Sequence, residues 1–404
     1  MSELIKTDTA LSNLAQTSEH PVGLEIVSAK GSRLIASDGK EYIDMIAGIG
    51  VSALGHGNKK IAQAVKNQVD KHMHVMVFGE FIQQAQQRAA RRLTSMLPEK
   101  FDSVYFVNSG AEAVEAALKL AKRIRRRFKI IAFEKSYHGN THGAMSVSGN
   151  EDRKSPFRPL LPDVHFHEYN AFEDLEFMDD RIACVIIETI QGDAGVRLPD
   201  VEFLKALRAK CDEIGALLIF DEIQCGMGRS GALCAFEKYG VEPDMICLGK
   251  ALGGGMPVGA LVCNRSLMEN FAFDPPLGHI TTFGGHPVIC AAVDAFLEEL
   301  ESTIDYSEVD KKGQRIKAAL EACNGVLAVR QEGLFIGVDL KSSFVTDKVV
   351  QRCIDNGVII YWFLSCPSSF RISPPLNISD SDLEEAMKVI CEAIEYIDEV
   401  GVNV

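Results

Sequence analysis

The first cysteine of this 404-residue chain stands at position 184, and the eleven from Cys184 to Cys391 contain no C-x-x-C pair. An odd, unpaired scatter argues against both a zinc site and a disulfide framework, so reduced thiols in a cytoplasmic protein are expected. His72-x-His74 and His165-x-His167 have no cysteine or carboxylate cluster beside them, and no metal is expected. Long apolar runs are missing too. None approaches the roughly 20 residues that span a bilayer, and Met1-Ser-Glu-Leu-Ile-Lys6 lacks the apolar segment of a secretion signal. Positive charge is the minority sign, 42 Lys and Arg against 56 Asp and Glu, for a formal net charge of -14. Such a surface repels polyanions. Its one basic cluster, Lys122 to Lys129, follows an amphipathic helix and is broken by Ile124 and Phe128, which reads as a solvated helix end. Neither a membrane nor a nucleic acid is an expected partner.

What is present is an ordinary globular composition, 47% hydrophobic and 24% charged. The chain is long enough for two domains, or for one large domain with a lobe. Residues 1 to about 30 show no strong periodicity and are expected as a partly ordered arm. Asp38-Gly39, between Arg33 and Asp44, signals a hairpin, and Ile46 to Gly57 is a glycine-rich loop. Ile61 to His72 and Gln83 to Met96 have helical periodicity. From Val104 the pattern becomes strand, turn, helix. Strands are predicted at 104–107, 130–133, 183–187, 216–220 and 245–248, with helices at 111–124 and 201–214. Wholly apolar strands alternating with helices imply an α/β domain whose mainly parallel sheet is covered on both faces. Ligands of such domains gather at the carboxyl ends of the strands. After a helix at 287–300, short strands near 333–340, 357–361 and 370–372 mix with helices at 346–355 and 380–397. This reads as a smaller α+β lobe.

The predicted strand Met245-Ile-Cys-Leu248 delivers Lys250 into a stretch containing Gly253, Gly254, Gly255, Pro257 and Gly259. That glycine density lets a backbone turn sharply and lie against a ligand. A lysine at the mouth of a buried strand is pushed toward its neutral, nucleophilic form. This suits a Schiff-base lysine for an aldehyde cofactor. Read alone, the stretch suits a surface lysine before a turn equally well. Asn108-Ser109-Gly110-Ala111-Glu112 joins a strand to a helix, where the first amides serve either a phosphate or a plain N-cap turn. Tyr137-His138-Gly139 ends another strand, and Tyr137 can stack on a planar ring or simply pack. Asp221-Glu222 closes a very apolar strand, with one acid expected at the site and the other at solvent. Asp221 and Lys250 end neighbouring strands, on the same sheet edge. An acid and a lysine placed this way suit a cofactor with a cationic ring nitrogen and an aldehyde.

The ordered set Ser109-Gly-Ala, Tyr137-His-Gly, Glu188-x-x-Gln-Gly192, Asp221-Glu-Ile-Gln224, Lys250-Ala-Leu-Gly-Gly-Gly and Thr281-Thr-Phe-Gly-Gly285 resembles the class III aminotransferases. The resemblance runs from about residue 20 to the end. It implies pyridoxal 5'-phosphate as cofactor and the fold type I architecture, a large domain with a seven-stranded, mainly parallel sheet plus a smaller α+β domain. The implied division is residues 1–50 for an arm and part of the small domain, 51–300 for the cofactor domain and 301–404 for the rest of the small domain. Lys250 is then the Schiff-base lysine that moves the substrate proton, and Asp221 pairs with the ring nitrogen. Gln224 stands near the ring hydroxyl, Tyr137 and His138 belong to the cofactor site, and Ser109, Gly110 and Ala111 hold the phosphate. Thr282 serves the phosphate of a neighbouring subunit, which implies a homodimer with shared sites. Arg371 matches a keto-acid carboxylate site, and Glu188 an acid near the substrate amine.

Two positions depart from ornithine-type members. Asp193 stands where a glutamate usually masks the arginine at 371, and Asn140 stands where an arginine usually grips the donor's α-carboxylate. A basic residue of the arm, Lys6 or Lys30, is the alternative source of that charge. The reaction implied moves the terminal amino group of an ornithine- or acetylornithine-like donor to a 2-oxo acid, chiefly 2-oxoglutarate. The alternatives are a 4-aminobutyrate, lysine or other ω-amine aminotransferase, a racemase or aminomutase of the same fold, and a non-catalytic scaffold.

Overall fold

The computed structural model describes residues 13–18, 21–77 and 79–399. Three strands come first, β1 (Ile26–Lys30), β2 (Arg33–Ala36) and β3 (Glu41–Asp44). Seven follow, β4 (Ser103–Val107), β5 (Lys129–Phe133), β6 (Val164–His167), β7 (Ile182–Glu188), β8 (Leu217–Asp221), β9 (Met245–Gly249) and β10 (Gly259–Cys263). The last five are β11 (Ala328–Glu332), β12 (Phe335–Asp339), β13 (Val358–Ile359), β14 (Tyr361–Trp362) and β15 (Ser369–Ile372).

Strands β4 to β10 form one seven-stranded sheet in the order β4-β10-β9-β8-β7-β5-β6. Every residue of β7, β8, β9 and β10 is buried, as their unbroken apolar runs require of strands covered on both faces. The sheet is parallel except for β10, which runs antiparallel to both β4 and β9. That strand hides in the sequence because it begins inside the glycine-rich stretch after Lys250. The helices over the sheet have clear ends. Asn58 caps Lys59–Lys71 by accepting from the amides of Lys60 and Ile61, and Asp200 does the same for Val201–Ile214, which stops at Gly215 in the left-handed region.

Two four-stranded sheets complete the chain, β1-β2-β3-β13 and β11-β12-β15-β14. The first joins the two ends of the sequence, because β13 pairs with β3 in parallel. The hairpin at Asp38-Gly39 forms as predicted. Part of the supposed arm, Ile26–Lys30, is a strand, while residues 1–12 and 19–20 lie outside the described residues. The loop after β3 holds a tight left-handed turn, with Ala47, Gly48, Ile49 and Gly50 all at positive φ. A helix at Tyr306–Glu321, rich in charge and carrying Gly313 at its middle, has no counterpart in the sequence prediction.

Two expectations are corrected. Glu222 does not face solvent but is buried, its carboxylate accepting from the amides of Ala235 (2.8 Å) and Phe236 (2.9 Å). It staples the excursion between β8 and β9, whose buried Arg229 donates to the carbonyls of Leu334 (3.0 Å) and Pro374 (2.6 Å) and so ties the large sheet to the C-terminal elements. Nor do the glycines after Lys250 lie against the cavity. A Cβ on Gly254 would stand 2.7 Å from Ile61 Cδ1 and 3.2 Å from Phe296 Cβ, so this glycine lets the turn pack against two helices.

Burial pushes Glu222 from an ordinary 4.5 up to about 7. A carboxyl raised on folding stabilises the fold fully below its unfolded value, and that contribution is lost as pH rises toward about 7. Glu222→Gln should therefore flatten the fall of stability between about pH 4.5 and 7. It should also cost about 1–3 kcal/mol, because the amide turns an N–H toward a backbone donor. Denaturant midpoints across that range check both, and parallel profiles for the two proteins would refute the assignment.

Candidate active site

The register of the large sheet brings the chemistry together. Glu188 pairs with Asp221 at the carboxyl ends of β7 and β8, and Asp221 lies beside Cys247 of β9. On the other side, Val107 and Gly249 both pair with Gly259 of β10. The residues that follow, Ser109 and Lys250, are thereby set at the same end of the sheet. Gly259 has to be glycine, since a Cβ there would overlap the carbonyl oxygen of Ser109 at 1.9 Å.

These strand ends open into a cavity of about 260 Å³. Its lining includes Ser109, Gly110, Ala111, Tyr137, His138, Asn140, Glu188, Asp221, Gln224 and Lys250, together with Ile190, Ile223 and Cys225. Lys250 has φ of 43°, a left-handed conformation that a non-glycine residue adopts only under constraint. Desolvation lowers its pKa, against the opposite pull of Asp221 and Glu188, so the amine is biased toward the neutral nucleophile. Desolvation raises Glu188 well above the carboxylate range, and repulsion from Asp221 and Asp193 adds to it.

Asp221 is held from two sides. Its Oδ2 lies 2.7 Å from His138 Nδ1, and its Oδ1 accepts the amide of Ile223 at 3.0 Å. Ser109 caps the helix Gly110–Arg125 by accepting from the Glu112 amide, so the N-cap turn is real and lines the cavity as well. Asn140 is exposed at the cavity, on a loop clamped by Glu115, which accepts from Thr141 Oγ1 (2.6 Å) and the Gly143 amide (2.9 Å). Lys30 is exposed at the end of β1, and Lys6 lies outside the described residues.

Arg371, Asp193 and Thr282 are not part of the lining. Thr282 is exposed on the turn Thr281–Gly285. Arg371, on β15, is buried. Its Nη2 donates to Asp193 at 3.0 Å, its Nε donates to the Trp362 carbonyl at 3.0 Å, and its guanidinium lies 4.6 Å from the Phe363 ring centre. Desolvation lowers its pKa while Asp193 opposes the shift. The shorter aspartate thus reaches the arginine. The sequence gives no signal for the residues around this pair, Trp362 to Ser365 and Asn150, because hydrogen bonds between distant loops leave no periodicity.

The lining suits pyridoxal 5'-phosphate. Among the described residues, His138 Nε2, Glu188 Oε2 and Gln224 Nε2 are buried polar atoms without a hydrogen-bond partner. Such atoms are rare in folded proteins, and three around one cavity call for a polar ligand. The open amides at the start of the helix Gly110–Arg125 offer a cradle for its phosphate.

Comparison with known proteins agrees with this geometry. A profile of the family described as aminotransferase class-III matches residues 14–394. An acetylornithine aminotransferase from Methanopyrus kandleri is 40% identical over 383 residues, covering 93% of this chain and 95% of that protein. A [LysW]-aminoadipate semialdehyde/glutamate semialdehyde transaminase from Sulfolobus acidocaldarius is 36% identical over 94% of this chain and 97% of its own. Among solved structures, the ornithine aminotransferase of Toxoplasma gondii superposes with a TM-score of 0.90 at 27% identity, covering 99% of this chain and 97% of that one. The strand ends, the buried lysine and these likenesses agree, and the chain belongs to the class III aminotransferases.

Proposed function

We propose that the protein uses pyridoxal 5'-phosphate to move the terminal amino group of an acetylornithine-like donor to a 2-oxo acid, chiefly 2-oxoglutarate. The observation that carries this is a single cavity lined by a desolvated lysine, an anchored aspartate and an open helix start. Bound pyridoxal phosphate supplies an aldehyde for amine exchange and a ring that takes up the electron pair left on the substrate carbon. Ser109, Gly110 and Ala111 would hold its phosphate, Asp221 its ring nitrogen, Gln224 its ring oxygen and Tyr137 its face. Lys250 Nζ, biased toward its neutral form by desolvation, would take the proton from the substrate carbon and deliver it on the far side of the transferred nitrogen. Glu188, raised by burial, is biased toward holding a proton beside the substrate amine. Arg371 binds the carboxylate of the 2-oxo acid, and Asp193 masks it when that carboxylate is absent.

A homodimer belongs to the same proposal. Met73, Met76, Phe81 and Ile82 are exposed, as are Phe273, Leu277, Ile280 and Phe283 around Thr282. The two segments meet where the rings of His74 and Phe283 lie 5.2 Å apart. An apolar surface of this kind marks an interface. Sedimentation should find a dimer at working concentration, and an active monomer would end the idea of shared sites.

A second reading of the donor has its own support. Among the described residues that line the cavity, Lys250 is the one lysine or arginine, and Asn140 offers a distal carboxylate only neutral contacts. Donors without that carboxylate, simple ω-amines, then fit as well.

Lys250→Ala should keep cofactor through the phosphate cradle but lose the absorbance band that depends on the lysine amine. Turnover should fall at least roughly 100-fold, the usual worth of a positioned acid–base. Undiminished transamination by this variant would remove Lys250 from the chemistry. On the donor side, a charge-assisted hydrogen bond is worth about 1.5–3 kcal/mol, or roughly ten- to over a hundredfold. Asn140→Arg should raise kcat/KM for acetylornithine by that factor and leave putrescine unchanged or worse. A hundredfold preference of the unmodified enzyme for acetylornithine over its carboxylate-free analogue would show that another cation serves the donor.

A further inference from the structure

Asp193 is more tightly held than a masking side chain needs to be. Its Oδ1 accepts from Arg371 Nη2 (3.0 Å) and from the Leu364 amide (2.9 Å), and its Oδ2 accepts from Ser365 Oγ (3.0 Å). Ser365 Oγ in turn accepts from Asn150 Nδ2 at 3.0 Å, which directs its own proton to Asp193. Arg371 is bonded to the Trp362 carbonyl and lies against Phe363. Four consecutive residues, Trp362 to Ser365, therefore hold both halves of the ion pair, the first two the guanidinium and the last two the carboxylate.

The backbone beneath Asp193 is fixed as well. Gln191 and Arg197 pair across the turn, and Arg330 Nε donates to the Gly195 carbonyl at 2.6 Å. With the turn pinned, rotation of its own short side chain is the route by which Asp193 can leave Arg371. That rotation breaks the Ser365 and Leu364 bonds together with the Arg371 bond.

We infer that Ser365, with Asn150 behind it, is a positioning residue that holds Asp193 on Arg371 and so sets how easily the carboxylate of the 2-oxo acid gains access. The inference rests on the proposed reading of Arg371 as the carboxylate site. Ser365 touches no reacting atom in this scheme. It stabilises the masked state alone, so losing it makes unmasking easier.

The test separates the two half-reactions of the cofactor-loaded enzyme, followed by cofactor absorbance. Ser365→Ala should lower the KM for 2-oxoglutarate roughly two- to tenfold, the worth of one exchangeable hydrogen bond, with kcat unchanged. Reaction with glutamate, the product of that half, should gain by the same factor. The half-reaction with an ω-amine that has no carboxylate beside the amine should keep its kcat/KM. Ser365→Thr should restore the original values, and Asn150→Ala should give a smaller shift in the same direction, which keeps a reading if Ser365→Ala does not fold. An acceptor KM that stays put or rises, or equal losses in both halves, overturns the inference. Arg371→Ala distinguishes the failures. If it abolishes acceptor use while the Ser365 and Asn150 variants change nothing, only the positioning role is wrong. If acceptor use survives it, the reading of Arg371 falls as well.

Discussion

The structure turns on keeping charged groups out of water without leaving them alone. Lys250, Asp221, Glu188, Arg371 and Asp193 occupy one desolvated region, where an unpaired charge is very costly. The fold meets that cost unevenly. Arg371 and Asp193 neutralise each other, and Asp221 has His138 and an amide. Glu188 and Lys250 are left to relax toward their neutral forms. The partnered groups are suited to binding and the relaxed ones to moving protons. The large sheet exists to hold this division, since its register alone decides which strand ends meet.

The two smaller sheets supply what the large one cannot. Arg371 comes from β15, and its aspartate from the turn after β7, so the pair spans elements far apart in sequence. Arg229 and Arg330 reinforce that junction, the first through the carbonyls of Leu334 and Pro374, the second through Gly195 and a pair of bonds to Asp339. Each guanidinium crosses from one layer to another with several donors in a rigid fork, which is what arginine offers and lysine does not.

How much of this was legible depended on range. The strands carrying Asp221 and Lys250 were readable because a strand buried on both faces writes itself as an unbroken apolar run. Strand β10 was not, because its first residue must be glycine to clear Ser109, and the glycines before it read as loop. Glu222 reads as solvent-facing in the sequence for a related reason. Its amide partners, Ala235 and Phe236, come from an excursion whose return no local pattern announces. At the site, the residues at strand ends could be named from the chain alone. The grip of Trp362 to Ser365 on the Arg371–Asp193 pair could not, since it joins loops about 170 residues apart by single hydrogen bonds.

The cysteines that first set this chain apart have a practical side. Nine of the eleven are buried. Desolvation pushes the thiols of Cys184, Cys211, Cys263, Cys290 and Cys353 up to about 12, and a thiol that stays protonated is a poor nucleophile. Cys366 and Cys391 alone reach solvent in part, and burial raises Cys391 as well. Of these two, Cys366 stands one residue beyond Ser365. The native chain thus carries a part-exposed sulfur beside the ion pair, an attachment point for a fluorescent or spin label once Cys391 is replaced.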